Sequence, residues 1–161
     1  MTTLAVTGHT DLTEKTVPLV RAALREVLKP YSEDLTGISC IAPGADSLFA
    51  EEVSAMGGRL VVVVPSLDYR SAVVKPEDLP VFDHLNETAV EVQTLPYESA
   101  DRAAYEAANS ELLERADRLV AVWDGTPSTG RAGGTADLVE KARRAGLPVD
   151  VVWPDGAVRG G

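Results

Sequence analysis

Four segments gather small, polar and glycine residues at spacings that suit ligand chemistry. They are Gly8-His9-Thr10-Asp11, Pro43-Gly44-Ala45-Asp46-Ser47, Pro65-Ser66, and Asp124-Gly125 with Gly133-Gly134-Thr135 further on. Each follows an aliphatic run, and Gly44 and Gly134 each open a helical pattern. A glycine at a helix start lets backbone amides approach a ligand with no Cβ in the way. The first amides of a helix have no partner within it, and the helix dipole leaves partial positive charge there. Phosphate binds readily at such a place. Plainer readings stand beside this one. Asp46 and Thr135 serve equally as N-caps, each worth about 1 kcal/mol. His9 reads equally as a loop histidine without a task, and Asp124 as the residue that closes its own turn. The recurrence of such loops after four of six strands favours a small-molecule site.

Other chemistries lack their residues. There is no G-x-x-x-x-G-K-[ST], and "GHTDL" after the first run is not G-x-G-x-x-G. Neither G-x-S-x-G nor H-E-x-x-H occurs. Two histidines and one cysteine are poor material for a metal site, so neither a metal nor a cofactor is expected. Cys40, in "GISCIA", reads as a small buried hydrophobe, and His84 as a surface residue. The net charge of -10 argues against a nucleic-acid partner, because non-specific binding rests on phosphate neutralisation by Lys and Arg. No apolar run approaches the roughly 20 residues that span a bilayer, so no membrane partner is expected. The start, "MTTLAVTGHT", lacks a basic region followed by a long apolar stretch; a cytoplasmic protein is expected.

The elements that must position these loops are legible as alternating patterns. Aliphatic runs cover Leu4 to Gly8, Gly37 to Ala42, Arg59 to Pro65, Val90 to Pro96, Arg118 to Gly125 and Pro148 to Pro154. Successive apolar residues, as in "LVVVV" and "LVAVW", mark strands covered on both faces. Between them, helical stripes run through Val17, Val20, Leu24, Val27 and Leu28, through Leu48, Val53 and Met56, through Tyr105, Ala108, Leu112 and Ala116, and through Leu138, Val139, Ala142 and Ala145. Residues 66–88 are less regular and read as a long crossover, or a lid, with a short helix near Val81 to Ala89. The pattern is that of an α/β fold: a Rossmann-like, doubly wound, mostly parallel sheet of about six strands with helices on both faces. The 161 residues form one domain, with 156–161 read as a frayed tail. In such sheets ligands bind outside the carboxyl ends of the strands, where all four segments fall.

Taken in order, "VTGHTDL", "IAPGADSLFAEEV", "AANSELLERADRLVAVWDG" and "GGTADLVEKARRAGLPV" resemble the SLOG superfamily, named for the Smf/DprA DNA-processing proteins and the Lonely Guy (LOG) enzymes. The similarity runs over nearly the whole chain. It implies a Rossmann-like domain that binds nucleotides or nucleotide-derived ligands. LOG-type members hydrolyse a nucleoside monophosphate to free base and ribose 5-phosphate, whereas the SLOG domains of TRPM channels bind ADP-ribose-like ligands. In the LOG motif P-G-G-x-G-T-x-E-E, Gly134-Thr135 match the G-T, and Asp137 stands at the first glutamate. Asn109 matches the second residue of an Arg-Asn pair found in relatives, but Ala108 replaces the arginine. Thr10 likewise stands where relatives with "GHR" carry arginine. The resemblance also implies a homodimer paired through helices.

These departures shape the expected function. N-glycoside cleavage builds positive charge on the ribose, which Asp137 would stabilise as the candidate catalytic residue. The missing arginines remove the phosphate anchor, leaving Arg131 or Arg70 as substitutes. The first reading is therefore binding of a mononucleotide or ADP-ribose-like ligand, as in a sensor, across Gly8, His9, Thr10, Gly44, Ala45, Asp46, Ser66, Asn109, Asp124, Gly125, Gly133, Gly134 and Thr135. The alternatives are a phosphoribohydrolase acting on a nucleoside 5'-monophosphate, and an interaction module with a degenerate site.

Overall fold

A computed structural model of the chain describes residues 2–128 and 134–160. Its strands are β1 (Thr2–Gly8), β2 (Leu35–Ser39), β3 (Arg59–Val64), β4 (Glu91–Thr94), β5 (Arg118–Val122) and β6 (Val149–Val152). Between them run α1 (Thr16–Leu28), α2 (Ala45–Ala55), α3 (Leu79–Thr88), α4 (Arg102–Arg115) and α5 (Thr135–Arg144). The strands form one sheet in the order β4-β3-β2-β1-β5-β6, and every pairing in it is parallel. The fold is thus the Rossmann-like α/β architecture expected, with no antiparallel strand in the sheet among the described residues.

Alternation along the central strand sorts the helices into two layers. Leu4 and Val6 of β1 pack with Val20, Leu24 and Leu28 of α1 and with Leu48, Phe49 and Val53 of α2. Ala5, pointing the other way, meets Ala108 and Leu112 of α4 and Leu138 and Ala142 of α5. Full burial of one such leucine contributes about 1.5–3 kcal/mol. A third cluster sets Phe82 and Leu85 of α3 against Leu60, Val62 and Val64 of β3. Residues 66–88 are therefore a crossover with its own core, and α3 starts two residues earlier than the sequence suggested.

From β1 the chain winds outward through β2, β3 and β4, then returns past β1 to β5 and β6. Right-handed crossovers put α1 to α3 on one face and α4 and α5 on the other. The strand order reverses between β1 and β5, where Gly8 lies level with Val122. The connections above these two strands diverge to opposite faces and leave a crevice, the usual ligand position in this class.

Residues 156–160, read from composition as frayed, pack against the start of α1. Thr16, fully buried, donates its hydroxyl to the Val158 carbonyl (3.0 Å) and accepts from the Val158 amide (2.8 Å). Arg159 forms an antiparallel bridge with Leu12, and its Nε donates to Asp11 at 2.9 Å. The opposite side of α1 is tied to α2 by Glu52, 4% exposed, which accepts from Arg25 and from Arg21. No helix among the described residues is long and apolar enough to cross a membrane.

Candidate functional site

The β1 and β2 loops meet before any ligand is considered. Gly8, at the end of β1, sits so close to α2 and β5 that an added Cβ would lie 2.4 Å from the Ala45 Cβ and 2.8 Å from that of Val122. Gly44 holds φ at +81°, and a Cβ there would fall 2.7 Å from the His9 carbonyl oxygen and 2.8 Å from the Thr10 Cα. Both glycines therefore let chain approach chain. The Ala45 amide, the first of α2, donates to the His9 carbonyl at 3.1 Å, and the Ser47 amide donates to the Ala42 carbonyl at 3.1 Å. Part of the α2 tip expected to hold an anion is thus already used by the protein.

The β2–α2 loop owes its shape to side chains. Ile41 has φ of +47°, a strained value for a β-branched residue. Its buried side chain and a 2.9 Å bond from its amide to the Ser39 hydroxyl hold it there. The Ser47 hydroxyl donates to the Ala42 carbonyl at 2.7 Å. Neither Asp46 nor Thr135 acts as an N-cap: the cap positions are Gly44 and Gly134, without side-chain cap bonds. Asp46 instead stands in the first turn of α2, where the nearby Ala42 amide favours the ionised form of its carboxyl.

Above the ends of β1 and β2, on the α4 side, lies a cavity of about 210 Å³. Thr7, Gly8, Thr10, Cys40, Pro43 and Asp46 line it, together with Tyr69, Tyr105, Ala108, Asn109 and Leu138. Among the described residues, no lysine, arginine or histidine lines it. Burial pushes the Asp46 carboxyl up to about 7, against the pull of the Ala42 amide. Burial likewise raises the Cys40 thiol and the Tyr69 and Tyr105 hydroxyls, so these remain neutral at physiological pH. Cys40 is half-buried; it packs against the core cluster of the α4 and α5 face and also lines this cavity.

A second cluster closes the β1–β5 end of the crevice. The His9 ring is 7% exposed, and its Nε2 lies 3.1 Å from both the backbone nitrogen and Oδ1 of Asp124. As the Nδ1–H tautomer the ring accepts from the amide; as the Nε2–H tautomer it donates to the carboxylate. Trp153 meets the ring edge-on with centroids 5.6 Å apart. Asp124 also accepts from the Thr126 amide (3.0 Å) and hydroxyl (2.7 Å), closing its own turn. Desolvation works against its ionisation, but the Thr126 bonds and His9 outweigh it and bring Asp124 down to about 2. Arg159 reaches in from the tail, with Nη1 3.8 Å from Asp124 Oδ2.

Of the residues singled out in the sequence, Gly8, Thr10, Gly44, Ala45, Asp46 and Asn109 come together at or beside the cavity, and His9 and Asp124 adjoin them. Ser66 does not join them. It is fully buried, donates to Asp68 at 2.7 Å, and faces a different hollow beside β4. Gly125 turns outward into a surface hollow along α5. Gly134, Thr135 and Asp137 begin α5 and are half-buried, but only Leu138 of that turn lines the cavity. Gly133 and Arg131 lie outside the described residues. Arg70, a candidate phosphate anchor, is instead engaged by Asp83 through two bonds of 2.7 and 2.8 Å. Tyr69, Tyr105 and Arg159 were missed. Tyr105 reads as part of a helical core stripe, Tyr69 falls in the irregular crossover, and Arg159 lies in the supposed tail.

No protein-family model and no curated protein matches the chain. Solved structures do. DNA processing protein A (DprA) from Streptococcus pneumoniae aligns with 97% of this chain and 52% of its own, at TM-score 0.69 and 15% identity. DprA from Helicobacter pylori covers 99% of this chain and 69% of its own, at TM-score 0.66 and 15% identity. The fold is of the SLOG type. A third SLOG-fold protein, the Moco carrier protein of Chlamydomonas rheinhardtii, aligns with 93% of this chain and 74% of its own, at TM-score 0.55 and 16% identity. The chain thus spans about half the length of the pneumococcal protein. The expectation that nucleic acid is excluded does not stand, because the H. pylori protein of this fold binds single-stranded DNA. Net charge averages over a whole surface, and this acidic chain still gathers Lys141, Arg143 and Arg144 in the last turn of α5.

Proposed function

We propose that the 210 Å³ cavity takes the nucleoside part of a nucleotide or nucleotide-derived ligand. The observation that carries this is the meeting of Asp46 and Asn109 with Tyr69 and Tyr105 in one hollow at the carboxyl edge of the sheet. A mostly apolar hollow with a few convergent polar groups, one with a shifted pKa, is the usual form of a binding site. The volume is below the roughly 300–1,000 Å³ of pockets for whole drug-sized ligands, so a base or a sugar enters and the rest lies outside. The single-stranded DNA binding of H. pylori DprA supports a nucleotide unit as the ligand.

The test is thermal shift with mononucleotides, ADP-ribose and a short single-stranded oligonucleotide, since a ligand bound only by the native state raises apparent stability. Asn109→Leu should abolish any shift. If no ligand moves the wild-type midpoint, or Asn109→Leu leaves the shift intact, the cavity is not the site. The oligonucleotide arm separates a free nucleotide from a strand as the source of the unit.

A second reading, hydrolysis of a nucleoside 5'-monophosphate, is favoured by Asp46 alone, because a carboxyl near pH 7 is suited to proton transfer to a leaving base. Asp137, one residue before the cavity-lining Leu138, is the candidate for stabilising charge on the ribose. Release of free base from AMP or CMP, lost in Asp46→Asn and Asp137→Ala, would establish it; absence of free base removes it.

A further inference from the structure

The chemistry of the cavity walls restricts which edge of a ligand can enter. Among the described residues no cation lines the cavity. Two of the nearest amides at the α2 tip are spent on the His9 and Ala42 carbonyls. A phosphate inside would lie beside Asp46, with no cation among the described lining residues to offset its charge. The rings of Tyr69 and Tyr105 with Pro43, Pro65, Ala108 and Leu138 suit a flat ring instead. Within that slot the one ionisable group of ordinary acidity is Asp46. Its ionised carboxylate only accepts hydrogen bonds, and the Ala42 amide favours that form without filling its acceptor sites.

We propose that Asp46 reads a pair of adjacent N–H donors, the edge a guanine-type base presents, so that the base is held inside the cavity and the phosphate outside. Two parallel N–H donors match the two oxygens of a carboxylate, whereas an adenine or hypoxanthine edge sets one donor beside one acceptor. Asn109, on α4 and lining the same cavity, has an amide that can donate and accept at the remaining edge of the base. This rests on the nucleotide reading above and adds the class of base.

The selection is linked to pH. The titratable groups facing Asp46 are Cys40 from the end of β2, Tyr69 from the crossover after β3 and Tyr105 from α4, all held neutral by burial. Asp46 itself titrates near pH 7 in the free protein. Binding of two donors requires the ionised form, whose fraction rises with pH. Affinity for a guanine nucleotide should therefore rise several-fold from pH 6 to pH 8, in proportion to the competent fraction.

The experiment is calorimetric titration with GMP, IMP and 2'-deoxy-GMP at pH 6 and pH 8, on wild type and Asp46→Asn. GMP and IMP differ by the one exocyclic amine. The expected result is GMP favoured over IMP by about tenfold or more at pH 8, and less at pH 6. Asp46→Asn should bind both equally, without pH dependence. Equal binding of GMP and IMP by wild type overturns the proposal while leaving the nucleotide reading in place; no binding of any nucleotide overturns both. A loss on removing the 2'-hydroxyl that matches the loss with IMP places the sugar at Asp46 and also overturns it. The thermal midpoint of Asp46→Asn identifies a variant that fails to fold, and the GMP–IMP comparison on wild type then decides alone.

Discussion

Replacing Gly44 by alanine separates the two uses a glycine at a helix tip can have. If the residue exists only to let a ligand approach, the free protein should tolerate a methyl group there apart from the cost of its backbone angle. The structure gives two costs. Holding φ at +81° with ψ at -129° is strained for any side chain, about 1–3 kcal/mol. The added Cβ also falls 2.7 Å from the His9 oxygen, 2.8 Å from the Thr10 Cα and 3.0 Å from the Thr10 oxygen. These are backbone atoms that cannot rotate aside, so the β1 loop must shift, at about 1–3 kcal/mol more. The sum is about 4 kcal/mol. Gly57 supplies the control, since its φ is +77° and an added Cβ meets nothing within 4 Å. Gly57→Ala should cost only the backbone term, about 1 kcal/mol. At about 2–4 °C per kcal/mol for a domain of this size, the midpoints should fall by about 10 °C and about 3 °C respectively. Urea unfolding followed by circular dichroism, without ligand, gives the two free-energy costs, and thermal melts give the two midpoints. Losses equal within about 0.5 kcal/mol would refute the reasoning, by showing that the two loops do not depend on that close approach.

Three further perturbations test other contacts. Asp124→Asn should cost about 1–2 kcal/mol at pH 7, because a carboxylate brought down to about 2 stabilises the fold above its unfolded value near 3.8 and loses that contribution as pH falls from about 4 to 2. Urea midpoints of wild type and variant should therefore converge near pH 2, and a gap that persists unchanged there contradicts the assignment. Glu52→Leu should cost about 2 kcal/mol by removing the acceptor that Arg21 and Arg25 share between α1 and α2, measured by urea unfolding; a more stable variant would show the pairing to be dispensable. Thr16→Val keeps the shape but strips both bonds to Val158, so brief trypsin treatment should cut after Arg159 faster than in wild type, read as loss of the last residues by mass spectrometry. Unchanged cleavage would mean that the tail is held by other contacts.

The fold was legible because the four central strands are buried on both faces and so announce themselves as unbroken aliphatic runs. "RLVVVV" became β3 and "RLVAV" became β5 at those residues. The sheet edges were less legible: β4 keeps only Glu91–Thr94 of its run, with Val92 exposed. The site was legible in position but not in its contacts. That loops after β1, β2 and β5 meet follows from strand order, which a repeating strand-and-helix pattern suggests. That Gly8 and Gly44 face other parts of the chain depends on distances between segments about 35 residues apart, which no local pattern encodes. Tyr69 and Tyr105 were hidden for a related reason, since an aromatic residue facing a hollow and one facing a core have the same spacing. Arg159 was discounted because a short glycine-bearing tail looks unstructured until its hydrogen-bond partner, Thr16, is known.

The docking of residues 158–160 beside Asp11 has a practical consequence for labelling. A fluorophore or fused reporter attached after residue 160 emerges next to the loop that carries Thr10, within sensing distance of the cavity mouth. One attached before Thr2 emerges at the amino edge of the sheet, roughly 20 Å away along the seven residues of β1. A pair of probes at the two ends would therefore report differently on the same binding event: the first responds to the ligand, the second serves as its silent reference.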